Sequence, residues 1–187
     1  MHKRPYLIAE VKTMSPFGYK SKQTWDELFA TATEIGDMIS VHTDPRWGGS
    51  IELVKKARAH THKPLLAKGI HDSDDIITEA LAAGATYALV VGRLPRRELL
   101  PYCLIEPNTI YQLRDFIKVV PTTQKLVWNS RNLSDGSTRD KSEYTAARNL
   151  WRGWLCQASN IATPSDIESS ADAVLIGQNL TAFAKLL

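Results

Sequence analysis

The chain has 187 residues, 43% hydrophobic and 23% charged, with a formal net charge of +3. That length suits one domain over 1–187 and is short for a closed eight-strand α/β barrel, which typically takes about 250 residues. Basic residues are dispersed, with short clusters only at His2-Lys3-Arg4 and Arg96-Arg97, which argues against a nucleic-acid groove and for an anionic small molecule.

In chain order, apolar runs at Tyr6–Val11, Met38–His42, Pro64–Ala67, Tyr87–Val91, Cys103–Ile105, Leu126–Trp128, Trp154–Cys156 and Ala173–Ile176 read as strands buried on both faces. Between them lie helix signals. Thr24 and Glu27 form a capping box closed by Gly36. Ser50 caps a helix through about His60, and Ser73 opens Asp74–Ala83 with Gly84 as its stop. Pro107 to Lys118 has room for a full helix, whereas Gly92 to Tyr102 leaves room for one or two turns. Ser142 before Glu143–Trp151 and Thr163-Pro164 are further helix starts.

Eight strand-and-helix repeats predict a parallel sheet closed into a (β/α)8 barrel. The glycine fingerprint of a dinucleotide fold is absent after the first strand. No apolar run reaches the roughly 18 residues of a membrane span, and no signal-peptide pattern appears. Cys103 and Cys156, each inside an apolar run, read as small core residues of a reducing compartment. Cytoplasm is the expected location.

In such barrels chemistry gathers at the carboxyl ends of the strands. Side chains alternate along a strand, so Ile8, Glu10 and Lys12 share one face and Leu7, Ala9 and Val11 the other. The other rim positions are His42, Thr43 and Asp44 after strand two, Lys68 after three, Glu106 after five and Asn129 and Arg131 after six. Ser159 follows strand seven, and Gly177 and Gln178 follow strand eight. Two lysines and two glutamates from three strands, aimed at one mouth, suit general acid–base work. His42, with no paired residue in view, reads as structural. His60, His62 and His71 do not make a metal ligand set, so no metal is expected. Ser159-Asn160-Ile161 and Gly177-Gln178-Asn179 occupy the loops that commonly hold phosphate, with the helix after Gly177 aimed at them. Gly177 would let a phosphate approach the backbone.

The stretches LIAEVKTMSP, SVHTDPRWGGS-IELVKKAR, KPLLAKGI, AAGATYALVV, CLIE, NSRNL and ADAVLIGQNL together resemble indole-3-glycerol phosphate synthase, in the same order over nearly the whole chain. The resemblance implies a cofactor-independent carboxy-lyase of tryptophan biosynthesis. It would close the indole ring of 1-(2-carboxyphenylamino)-1-deoxyribulose 5-phosphate with loss of carbon dioxide and water. It makes Lys68 the general acid and Glu106 the general base, with Lys12 and Glu10 in proton transfer and carboxylate binding. Asn129 and Arg131 would orient these groups. Ser15 and the backbone at Ser159, Gly177 and Gln178 would hold the phosphate, and Trp47 would wall the anthranilate ring.

The chain departs from that family's pattern at four places. Tyr6 already begins the first strand, where the family has a preceding helical segment. Gln157-Ala158-Ser159-Asn160 stands for Glu-Ser-Gly, Lys68-Gly69-Ile70 for Lys-Asp-Phe, and Gly177-Gln178 for Gly-Ser. A missing amino-terminal segment would leave apolar barrel surface for a second copy or a partner barrel to cover. The alternatives are therefore a phosphosugar-binding barrel with another substrate, and a catalytically degenerate barrel kept as a partner subunit.

Overall fold

Eight parallel strands close on themselves in sequence order in the computed structural model: β1 (Tyr6–Val11), β2 (Met38–His42), β3 (Leu65–Lys68), β4 (Tyr87–Val91), β5 (Cys103–Glu106), β6 (Lys125–Asn129), β7 (Leu155–Ala158) and β8 (Ala173–Ile176). The structure describes residues 4–140 and 142–187; His2 and Lys3 of the amino-terminal basic cluster lie outside the described residues. Four strands differ from the apolar runs in a way that matters. β3, β5, β6 and β7 each continue past the last apolar residue, so Lys68, Glu106 and Asn129 are the final residues of strands. The backbone ladder reaches further than hydrophobicity alone reports, because a strand's last inward side chain can be polar when it faces the mouth.

Helices α1 (Trp25–Ile35), α2 (Ile51–His60), α3 (Asp74–Ala82), α4 (Ile110–Phe116), α5 (Ser142–Leu150) and α6 (Leu180–Ala184) run outside the sheet. The capping box of α1 forms as expected: Thr24 Oγ1 accepts from Glu27 N–H at 3.3 Å while Glu27 Oε2 accepts from Thr24 N–H at 2.7 Å. Ser50 and Ser73 cap α2 and α3. Ser142, expected as a cap, is instead the first helical residue, and Asp140 accepts its N–H at 2.8 Å. The β4–β5 and β7–β8 crossovers carry only 3-10 turns, at Arg97–Tyr102 and Pro164–Asp166. These two abbreviated units help explain how the barrel closes in 187 residues.

Two apolar layers hold the fold. Ile8, Met38, Leu66, Leu89, Leu104, Val127, Cys156 and Leu175 fill the barrel interior. Outside, Ala9, Val11, Ile39 and Val41 pack on Leu28, Phe29 and Ala32 of α1 and Val54 and Ala57 of α2. Parity along each strand sorts the residues: Ile8 goes in with the plug, and its neighbours Leu7 and Ala9 go out. Both cysteines are buried and free, as expected of core residues. Burial pushes the Cys103 thiol up to about 12, which leaves it protonated and inert. No helix among the described residues is long and apolar enough to cross a membrane.

Candidate active site

Directly above the apolar plug the inward positions turn polar. Glu10, His42, Glu106 and Asn129 are all buried there, the two carboxylates at 3% and 2% exposure. An ionised carboxylate at that depth requires partners, and the two glutamates differ sharply in what they have.

Glu10 has two partners on one oxygen. Its Oε1 accepts from Lys68 Nζ at 2.6 Å and meets His42 Nε2 at 2.6 Å. His42 and Lys68 are register partners on β2 and β3, so both side chains enter the mouth at one level and converge on the same oxygen. Burial by itself would raise the Glu10 carboxyl, but the Lys68 ammonium, then His42 and Lys12, outweigh it and hold the group well below the usual carboxylate range. Burial pushes the His42 imidazole down despite the carboxylate beside it. A neutral ring with its proton on Nε2 then donates to Glu10. Burial, with Lys68 and Arg131 nearby, likewise pushes Lys12 down against the pull of Glu10.

Glu106 is under-partnered. Its Oε1 accepts from Asn129 Nδ2 at 2.9 Å, while Oε2 has no hydrogen-bond partner among the described residues. Burial raises its carboxyl, and the more distant Lys68 and the Asn129 contact only partly offset this. Two carboxylates in one mouth are thus driven in opposite directions, which is how one site obtains a permanent anion and a proton carrier.

Two hollows with shared lining residues open over these groups. One, of about 40 Å³, has Lys68, Glu106, Asn129, His42, Trp47 and Ile70 in its walls. The other, of about 140 Å³, lies between the β7 and β8 rims; Glu10, Lys12, Lys68, Arg131, Ser159, Gly177 and Gln178 contribute to its lining. Lys12, Lys68, Arg131 and Ser159 belong to both. Three cations against one carboxylate make the larger hollow suited to an anion. Arg131 N–H donates to Asn129 Oδ1 at 3.0 Å, which fixes the amide that faces Glu106. Trp47 closes one side, its ring parallel to His42 with centroids 6.1 Å apart.

Three expectations about the anion site change. Ser15 does not line either hollow. The loop after β1 folds into its own hairpin, with Ser15 N–H donating to Tyr19 O at 2.9 Å, and the Ser15 hydroxyl oxygen accepts from Phe17 N–H at 3.3 Å. Gly177 is glycine for a different reason: a Cβ there would stand 1.6 Å from Glu10 Oε2, so the space it frees holds that carboxylate. The helix that follows has only five residues, and Leu180 N–H turns back to Gly177 O at 2.9 Å. So short a helix has little dipole to offer an anion. Ser159 and Asn160 stand where the backbone bends, both with left-handed φ of 67° and 56°; asparagine tolerates this better than most side chains.

A consequence for Gly177 follows from that distance. Gly177→Ala cannot be absorbed by swinging Glu10 aside, because the carboxylate is held by Lys68 and His42. The expected loss of stability is about 1–3 kcal/mol, as for overpacking elsewhere, measured by urea denaturation against wild type.

His42 is the residue that sequence reasoning undervalued. Its parity was legible, since it lies two and four residues from the inward Ser40 and Met38, but its partner is 32 positions away. Two further histidines have other partners: His60 Nδ1 meets Lys56 O at 2.8 Å, and His71 bridges Leu89 O and Thr43 Oγ1.

No family model matches the chain. It is similar in sequence to proteins named indole-3-glycerol phosphate synthase. The one from Nautilia profundicola is 31% identical over 118 residues, 61% of this chain and 42% of that protein. Those from Sulfurimonas denitrificans and Petrotoga mobilis are each 27% identical over 94% and 93% of this chain, spanning 74% and 78% of theirs. The chain therefore spans less than half the length of the first of these relatives and about three quarters of the other two. Among solved structures, a 3-hexulose-6-phosphate synthase superposes with a TM-score of 0.67 at 15% identity over 97% of both chains, a likeness of fold. The chain is a TIM barrel whose sequence resembles the indole-3-glycerol phosphate synthases.

Proposed function

We propose that this chain is a phosphosugar-processing lyase of the indole-3-glycerol phosphate synthase type. It would convert 1-(2-carboxyphenylamino)-1-deoxyribulose 5-phosphate to the indole product with loss of carbon dioxide and water. The observation that carries the reading is the divergence of Glu10 and Glu106, one held as an anion beside Lys68 and the other raised and half-unpartnered, in the walls of two hollows that share Lys68.

On this reading the Lys68 ammonium, aimed by Glu10, donates the proton to the sugar carbonyl oxygen as the aromatic carbon attacks it. Carbon dioxide leaves from the ring carbon and restores aromaticity. Glu106, steadied by Asn129, then takes a proton while hydroxide departs as water with a proton from the lysine side of the site. Lys12 and Arg131 meet the substrate's anionic groups. No metal or organic cofactor enters.

One feature favours a second reading, a barrel acting on a smaller phosphosugar: Gly69 and Ile70 line the hollow between Lys68 and Glu106, where the resembled family carries an acid and an aromatic side chain. Turnover decides between them. Wild-type protein given the carboxyphenylamino substrate should develop indole fluorescence. Folded protein that stays dark with it, yet binds ribulose 5-phosphate, would replace the first reading with the second.

A further inference from the structure

The buried polar groups outside the roles just given centre on His42. Its Nε2 shares Glu10 Oε1 with Lys68, each at 2.6 Å. On its other side the ring lies parallel to Trp47, interplanar angle 2°. Its backbone is pressed by Gly49, where any Cβ would come within 2.4 Å of the His42 carbonyl carbon and oxygen. The residue is thus bounded by Trp47 and Gly49 as well as by the carboxylate.

We infer that His42 is a positioning residue: it holds the Glu10 carboxylate in the one orientation from which Oε1 can aim the Lys68 ammonium into the hollow. The inference deepens the lyase reading and rests on it for its kinetic consequences, though not for its structural ones.

The neighbouring strands support this. Glu10 rises from β1 between β2 and β8, and Gly177 of the β8 rim leaves room for Oε2 but offers no side chain to hold it. Without His42, Lys68 alone would fix the carboxylate, and one flexible ammonium does not define a carboxylate plane. The charged and titratable groups facing His42 are Glu10, Lys68 and Lys12, with Asp44 of the following turn also within its field. The Trp47 indole lines the same hollow as Lys68 and Glu106, with its ring parallel to the imidazole at a centroid distance of 6.1 Å.

The test uses two amides of equal polarity and different reach. His42→Gln places its amide nitrogen where Nε2 stands and can still donate to Glu10; His42→Asn stops at the position of Nδ1 and cannot. Crystal structures of the wild type and both variants should show Glu10 and Lys68 unmoved in His42→Gln. In His42→Asn the carboxylate should be turned, with Nζ displaced by about 1 Å. A displacement of that size is enough to cost on the order of 10²-fold in rate. Turnover of the carboxyphenylamino substrate should therefore fall about 10²-fold in kcat for His42→Asn, with KM changed by less than about 3-fold, while His42→Gln stays within about 5-fold of wild type. Equal kcat for the two variants, or Glu10 and Lys68 in place in His42→Asn, overturns the inference. A wild type without turnover would sink the lyase reading alone, and the crystal structures would still decide whether His42 holds Glu10.

Discussion

Lys68→Met should lose turnover by roughly 10²–10⁴-fold, the range expected when a positioned proton donor is removed, and should lose less stability than a broken buried ion pair ordinarily does. Methionine fills the lysine stem's volume without its charge. Breaking a buried pair commonly costs about 3–5 kcal/mol because the abandoned charge has nothing left to meet. Here His42 Nε2 already lies 2.6 Å from the same oxygen, and Lys68 is one of the charges that keeps the imidazole neutral. With the ammonium gone, the ring is expected to take up a proton and form an ion pair with Glu10.

The pH dependence checks this. In the wild type, burial lowers the folded-state pKa of His42, so stability from this group is present above the ring's ordinary value and is lost as pH falls through the folded value. In Lys68→Met the expected shift is upward, and the contribution is then present below the ordinary value and lost as pH rises. Urea denaturation from about pH 8 to about pH 6, the range in which histidine titrates, should therefore show the gap between variant and wild type narrowing on acidification. A gap that stays constant or widens would show that His42 does not take over the carboxylate.

Glu106→Gln should also abolish turnover, by a similar factor, yet leave a protein at least as stable as the wild type at neutral pH. The glutamine keeps an oxygen for Asn129 Nδ2, the one hydrogen bond Glu106 Oε1 makes, and removes a charge that burial disfavours. The sign follows from the direction of the shift. The folded-state carboxyl lies above its ordinary value of 4.5, so the group's contribution is fully present below that value and disappears as pH rises through the folded one. Each unit of such displacement corresponds to about 1.4 kcal/mol. The wild type should thus lose stability relative to Glu106→Gln as pH climbs above 4.5, a trend opposite to that expected of Glu10, whose carboxyl is held low. If the variant proved less stable than wild type at pH 7, the carboxylate would be a stabilising partner in the mouth, and its assignment as the proton carrier would fail.

The two substitutions together separate charge placement from chemistry. Both remove a group the proposed reaction needs, and only one removes a group the fold relies on.

The sequence by itself determined the order and direction of the strands, the caps of the first three helices and the side of the sheet each rim residue faces. These depend on neighbours within about four positions: Thr24 on Glu27, Ser50 on Leu53, and Glu10 on the parity of Ile8. It also brought Lys68, Glu106, Asn129 and Arg131 to one mouth, since parallel strands in a closed barrel must end at the same rim. Tertiary structure decided everything that depends on stagger between strands. Only the register of β1, β2 and β3 makes Lys68 and His42 share one oxygen of Glu10, and only the approach of β8 makes residue 177 the place where that carboxylate needs space. Ser15, a phosphate ligand by the family resemblance, sits in the hairpin after β1 and lines neither hollow. Local patterns report which way a side chain points, while the distance between two side chains on different strands is a property of closure, and no single segment contains it.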